Sequence, residues 1–233
     1  MAGGDDLKLL GTWASPFAIR VKFALALKGL TYEYAEEDLA SKSDLLLSSN
    51  PVHKKIPVLI HNGLPVCESN VIVEYVDEVF AGPSVLSADP YERAIARFWA
   101  AYVDDKLLAS WATMLFRGKT EEEKSEGKKA LFAALENLEG ALAKCSDGKV
   151  FFGGASVGLV DLALGSQLSW LKATEVITGE GFFGGDKTPL LAAWMERFSE
   201  LNVAKAALPD VDKVVEFAKM RQDRMAAAAA SNN

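Results

Sequence analysis

The sequence is short of the residues that build metal and redox sites. It has two cysteines, Cys67 and Cys145, and two histidines, His53 and His61. The cysteines form neither a C-x-x-C motif nor a disulfide framework, which fits a reducing compartment. Two histidines in separate segments give a metal site no support. Positive charge is also scarce. Lys and Arg number 25 against 32 Asp and Glu, so the net charge is −7 and the pI about 5.0. That balance argues against a nucleic-acid role and supplies no basic patch for a membrane surface. No apolar run approaches the ~20 residues of a membrane span. Met1 to Lys8 are small and acidic, without the apolar core of a signal peptide. A soluble intracellular protein is the expectation. At 233 residues, 50% of them hydrophobic, the chain can bury a sizeable core in one or two domains.

What is present begins with punctuated short elements. Leu7 to Gly11 is a nearly continuous apolar run and reads as a strand covered on both faces. Ser15 is a candidate helix N-cap and Pro16 takes the first helical position, which proline favours. Phe17, Val21, Ala24 and Leu25 make an apolar stripe, and Gly29 is placed to end the helix. Tyr32 to Leu39 alternates weakly, as a second strand would. Ser41 to Ser49 is a short helical segment carrying Lys42. Pro57 opens a third strand at a position where its missing N–H does no harm. Asn62-Gly63 predicts a tight hairpin, and Leu64 to Cys67 the returning strand. A helix then starts at Ser69, with Val71, Tyr75 and Val79 beside Ile72, Val76 and Phe80 at helical spacing; Glu74, Asp77 and Glu78 take its other face. The order β-α-β, helix, β-β-α is the thioredoxin-like pattern.

The start of that last helix carries a chemical hint. A Ser69 hydroxyl and free N–H groups at a helix N-terminus attract an anion. Glu68, one residue earlier, would face a cation. A site for both describes an amino-acid head group. An ordinary cap beside a solvated glutamate explains the same two residues equally simply.

The anchors Ser15-Pro16-Phe17 with Arg20-Val21, Asn50-Pro51-Val52-His53-Lys54-Lys55-Ile56-Pro57-Val58-Leu59, Glu68-Ser69 and Glu74-Tyr75 recur in one order and spacing. In these the chain resembles soluble glutathione transferases, most closely the plant tau class, and the resemblance runs through essentially its whole length. It implies a thioredoxin-like α/β N-terminal domain over residues 1–83, a linker at 84–90, and an all-α C-terminal helical domain over 91–233. It places Ser15 at the catalytic hydroxyl, donating a hydrogen bond to the glutathione sulfur; a cysteine there would instead form mixed disulfides. It makes Pro57 a cis-proline that frees the Ile56 backbone for the cysteinyl unit. Glu68 and Ser69 fall at the γ-glutamyl site, and Lys42 and Lys55 near the glycine carboxylate. His53 and Lys54 are weaker candidates for that site, and Cys67 reads as a small apolar residue. Arg20 would either add positive potential near the thiolate or face solvent. Glutathione is then a co-substrate, with no prosthetic group, and a homodimer and a cytosolic location are implied.

After turn formers from Ala81 to Pro90, the pattern is helical throughout. Tyr91 to Phe116 reads as one long helix. Thr120 to Glu123 is a capping box opening a helix with Leu131, Leu135, Leu138 and Leu142 inward. Gly158-Leu159-Val160-Asp161 starts a buried helix reaching about Ala173; glycine gives up a side-chain cap, and Asp161 can reach back to the helix start. Thr188-Pro189 opens the next helix, and Asp210 to Met225 is the last, before an alanine-rich tail expected to fray. The electrophile pocket is expected between the domains, walled by Phe17, Trp111, Leu115, Trp170, Phe217 and Met220, with Trp13 either wall or core. The proposed chemistry is attack of the glutathione thiolate on hydrophobic electrophiles in detoxification or stress response. Hydroperoxide reduction could share the site. A carrier of apolar ligands and a structural thioredoxin-like module are the alternatives.

Overall fold

The computed structural model describes residues 6–231. The first half contains β1 (Leu7–Gly11), α1 (Pro16–Leu27), β2 (Glu33–Glu36), α2 (Asp44–Ser49), β3 (Val58–His61), β4 (Leu64–Cys67) and α3 (Ser69–Val79). The sheet order is β2-β1-β3-β4, with β1 parallel to β2 and antiparallel to β3. The β3–β4 hairpin turns at Asn62 and Gly63, both at positive φ (49° and 80°), the conformation an Asn-Gly turn supplies at little cost. α1 is apolar on nearly every side because α3 covers one flank and helices of the second half cover another. On α3 the inward residues are Ile72, Val73 and Val76, while Val71 and Val79 point out. Asp77, expected on the solvated face, is buried against Lys28 at 2.8 Å.

The second half contains α4 (Pro90–Tyr102), α5 (Ala109–Ala112), α6 (Glu121–Cys145), α7 (Leu159–Gly165), α8 (Leu168–Thr178), α9 (Pro189–Glu200), α10 (Asn202–Ala207) and α11 (Val211–Ser231). The long helix expected from Tyr91 to Phe116 is interrupted. Val103–Leu108 and Thr113–Arg117 are wound as π-helix on either side of α5. Such widened turns recur at functional sites and are invisible to a 3.6-residue period. The buried helix expected from Gly158 to Ala173 is two helices, broken at Ser166–Gln167. The alanine-rich tail continues α11 to Ser231; Asn232 and Asn233 lie outside the described residues.

One apolar core runs through both halves, with a small satellite of Leu10, Leu46 and Val58 under α2. Phe23 of α1 meets Phe198 of α9 edge-on at 5.4 Å. Phe198 also presses on Gly165, where an added Cβ would lie 2.2 Å from the ring. Gly165→Ala should therefore destabilise the fold by about 2 kcal/mol, because overpacking outweighs the ~1 kcal/mol that alanine gains in helix propensity. Urea unfolding measures this; an unchanged midpoint would mean that the Phe198 ring can shift.

Candidate active site

Ser15 caps α1. Its Oγ accepts from the Ala18 N–H at 3.3 Å, and Pro16 follows at the first helical position. A hydroxyl has two acceptor sites and one donor, so capping leaves its proton free to donate elsewhere. No acidic residue stands in the first turn of α1, so the positive end of this 12-residue helix is not offset locally.

The start of α3 differs in detail from expectation. Glu68, not Ser69, holds the cap position, and no side chain caps this helix. Ser69 is the first helical residue. Its Oγ accepts from the Arg20 guanidinium at 3.0 Å. The first N–H groups of α3 therefore keep their capacity to bind an anion. Glu68 has φ 72° and ψ 118°, rare for a residue with a Cβ and the kind of strain that gathers at ligand sites. Its carboxylate is exposed, 3.9 Å from His53 Nε2.

Arg20 links these elements. It is fully buried. It donates to Ser69, to Asn70 Oδ1 at 2.9 Å, and to both Asp104 oxygens at 2.9 and 2.6 Å. Asn70 Nδ2 also reaches Asp104 at 3.2 Å. One guanidinium thus fixes α1, the start of α3 and the first π-helical segment of the second half. The bidentate pairing with Asp104 is the strong form of this contact.

The Ile56–Pro57 peptide is cis. Neither backbone group of Ile56 is used in the loop hydrogen bonds of the described residues. The preceding loop is held by Asn50, whose Nδ2 donates to the Lys55 carbonyl and whose Oδ1 accepts from the His53 N–H. Lys42 Nζ donates to the Lys54 carbonyl at 2.8 Å, which keeps its charge beside exposed Lys55. Partial burial and nearby Glu68 push the Cys67 thiol upward, away from the reactive thiolate.

Ser15 also lines a cavity of about 380 Å³ between the halves. Phe17, Trp111, Phe116, Trp170 and Phe217 give it an aromatic wall, and Ile56, Asp104, Arg117 and Arg221 complete much of the rim. Trp170 Nε1 donates to the Ala14 carbonyl at 2.7 Å, tying this wall to the residue before Ser15. Trp111 Nε1 donates to Thr174. Both indoles are therefore held as rigid surfaces.

A family model for the glutathione S-transferase N-terminal domain matches residues 5–78, and one for the C-terminal domain matches 93–202. The chain is 56% identical to a probable glutathione S-transferase, GSTU6, of Oryza sativa subsp. japonica, over 93% of this chain and 94% of that one. The chain belongs to the glutathione S-transferase family, in its tau class. A tau class glutathione S-transferase from mango is 48% identical with a TM-score of 0.88, over 93% of this chain and 98% of that one. Rice GST1, solved in complex with glutathione, is 39% identical with a TM-score of 0.86, over 96% and 99% of the chains.

Within this transferase fold, two residues expected in the pocket face elsewhere. Leu115 packs into the helical core, because the π-helical turn sends Phe116 and Arg117 to the cavity instead. Met220 is 51% exposed, one position away from the α11 face that carries Phe217 and Arg221. Phe17, Trp111, Trp170 and Phe217 do line the cavity. Trp13 is 37% exposed and stacks edge-on with Phe217 at 5.4 Å. Arg20 faces no solvent. Asn70 and Asp104 were not singled out from sequence. A charged residue inside the apolar run of α1 was the available signal for Arg20; its partner 84 residues away left none.

Proposed function

We propose that this chain conjugates the glutathione thiolate to apolar electrophiles. The observation that carries the reading is Ser15: its hydroxyl stands at an un-neutralised helix N-terminus and lines the same cavity as Trp111, Trp170 and Phe217. Ser15 donates a hydrogen bond from its free O–H to the glutathione sulfur and, with the α1 dipole, favours the thiolate. The sulfur then attacks the electrophilic carbon, a C–S bond forms, and the leaving group departs with the bonding pair; the thiol proton has gone to solvent. The α3 N-terminus takes the γ-glutamyl carboxylate, with Ser69 held by Arg20. Glu68 pairs with the γ-glutamyl ammonium. The Ile56 backbone beside cis-Pro57 pairs with the cysteinyl unit, and Lys42 and Lys55 face the glycine carboxylate. Phe17, Trp111, Trp170 and Phe217 bind the electrophile. The division into residues 1–83, linker 84–90 and 91–233 leaves glutathione on the first unit and most of the electrophile wall on the second. Exposed Val71 and Val79 on α3, with Tyr91 and Phe98 on α4, support a homodimer. No described helix is long and apolar enough to cross a membrane, which is consistent with the cytosolic location proposed here.

Conjugation of glutathione to 1-chloro-2,4-dinitrobenzene, followed by absorbance, tests this reading. Turnover is expected. Glu68→Gln should raise the KM for glutathione about tenfold, since it removes one charge-assisted contact. Absence of both turnover and glutathione binding would leave only a structural module. Tight binding of apolar ligands without turnover would favour a carrier.

A further inference from the structure

Three charged residues line the cavity beside Ser15: Asp104, Arg117 and Arg221. Asp104 is neutralised by its bidentate pairing with Arg20. Among the described residues neither Arg117 nor Arg221 has a carboxylate partner. A cavity otherwise lined by aromatic, aliphatic and small residues therefore carries two uncompensated positive charges, on a chain whose net charge is −7.

Arg221 is held in place, and Arg117 joins it from the adjoining turn. Arg117 ends the π-helical turn after Phe116. The Arg221 guanidinium lies over the Phe116 ring, 4.4 Å from its centroid. That stacking holds the planar group by its face and leaves its edge donors open. Gln222, the next residue, donates to the Leu115 carbonyl at 3.2 Å, which pins α11 to the same turn. Burial and the neighbouring Arg117 push the Arg221 guanidinium below its ordinary value, so the two cations feel one another. Two like charges held together gain from an anion between them.

We infer that the second substrate of this enzyme is an amphipathic anion. Its apolar or aromatic body lies on Trp111, Phe116 and Trp170, and its acidic group sits between Arg117 and Arg221. The inference rests on the glutathione-transfer reading for the word substrate; the anion subsite itself rests on the cavity alone. A carboxylate suits the site best, since each guanidinium offers a two-donor edge to its two oxygens.

The test uses unreactive probes, so that it does not depend on turnover. Binding of 3,5-dinitrobenzoate and of its neutral methyl ester is read by quenching of tryptophan fluorescence, with the full chain. The acid is expected to bind about tenfold tighter than the ester. The preference should weaken with added salt, because the pair sits at an open rim. In the Arg117→Gln/Arg221→Gln double variant the affinity ratio should fall to about one. In the Arg117→Lys/Arg221→Lys variant much of the preference should remain, which separates lost charge from a disturbed cavity. Equal affinities in the native chain, a preference that survives the Gln double variant, or failure of both probes to bind would overturn the inference. Loss of aryl-halide turnover in the native chain, beside an intact acid preference, would instead sink the transfer reading and leave the subsite standing.

Discussion

Replacing Ser15 by alanine is expected to lower kcat/KM for aryl-halide conjugation about 10²-fold, while glutathione affinity changes little. The hydroxyl contributes one hydrogen bond to a developing or formed anion, and removal of such a donor costs on the order of 10² in rate. The same hydroxyl caps α1. Losing the cap costs about 1 kcal/mol of stability, which is too little to unfold the chain and does not touch the reacting sulfur. The two roles separate in the pH–rate profile. If Ser15 favours the thiolate, the apparent pKa of bound glutathione rises in Ser15→Ala and activity recovers at higher pH. Ser15→Thr, which keeps a hydroxyl, should restore part of the rate. A variant that is less stable yet turns over within about twofold of native would reduce Ser15 to a cap and move thiolate stabilisation to the helix N-terminus alone.

Asp161→Ala is expected to remove about 4 kcal/mol of folding stability. The carboxylate is fully buried and accepts from the N–H groups of Phe152, Gly153 and Gly158 and from the Trp194 indole. These four donors tie the loop before α7 and the middle of α9 to the start of α7. Each buried donor left without an acceptor costs about 1–3 kcal/mol. Against that stands the cost of burying the charge. Burial pushes the carboxyl up to about 6, with the four hydrogen bonds pulling the other way. The rise from 3.8 corresponds to about 3 kcal/mol at neutral pH. Summed orphaned donors outweigh it, so the substitution destabilises. The pH dependence has a definite sign. A carboxyl whose folded value is raised binds more protons folded than unfolded between about pH 4 and 6, so its contribution to stability falls as pH rises through that window. Alanine has no such term. The stability gap between native and Asp161→Ala should therefore widen as the pH is lowered from 7 to 4, measured by urea unfolding. A gap that narrows would show that the four hydrogen bonds win over burial.

What the sequence disclosed, it disclosed where the physics is local. Ser15-Pro16 marked the start of α1, Asn62-Gly63 the hairpin, and Leu64 and Cys67 the bounds of β4. Each depends on backbone preferences of one to four residues. The cis state of Pro57 came only through resemblance, since nothing in an Ile-Pro pair demands it. The failures are non-local. Ser69 looked like a cap until Arg20, 49 residues earlier, claimed its hydroxyl. Leu115 and Met220 fit a regular helical stripe, but a π-helical turn rotated one face and a single residue position excluded the other. The break at Ser166–Gln167 lies in a stretch buried on all sides, where a one-faced apolar period has nothing to read.

The Arg20–Asp104 pair also bears on whether the halves can live apart. A first half expressed by itself would lose the carboxylate that pairs with the Arg20 guanidinium, together with the α7 and α10 surfaces that pack on α1. Losing one partner of a buried ion pair costs about 3–5 kcal/mol where the stranded charge stays buried, and less where water reaches it. With the apolar core also shared between the halves, the thioredoxin-like part alone is expected to be less stable than the same residues in the full chain. The same condition governs chimaeras. A second half transplanted from a relative would have to bring an acidic side chain to the position of Asp104, whatever pocket it carried.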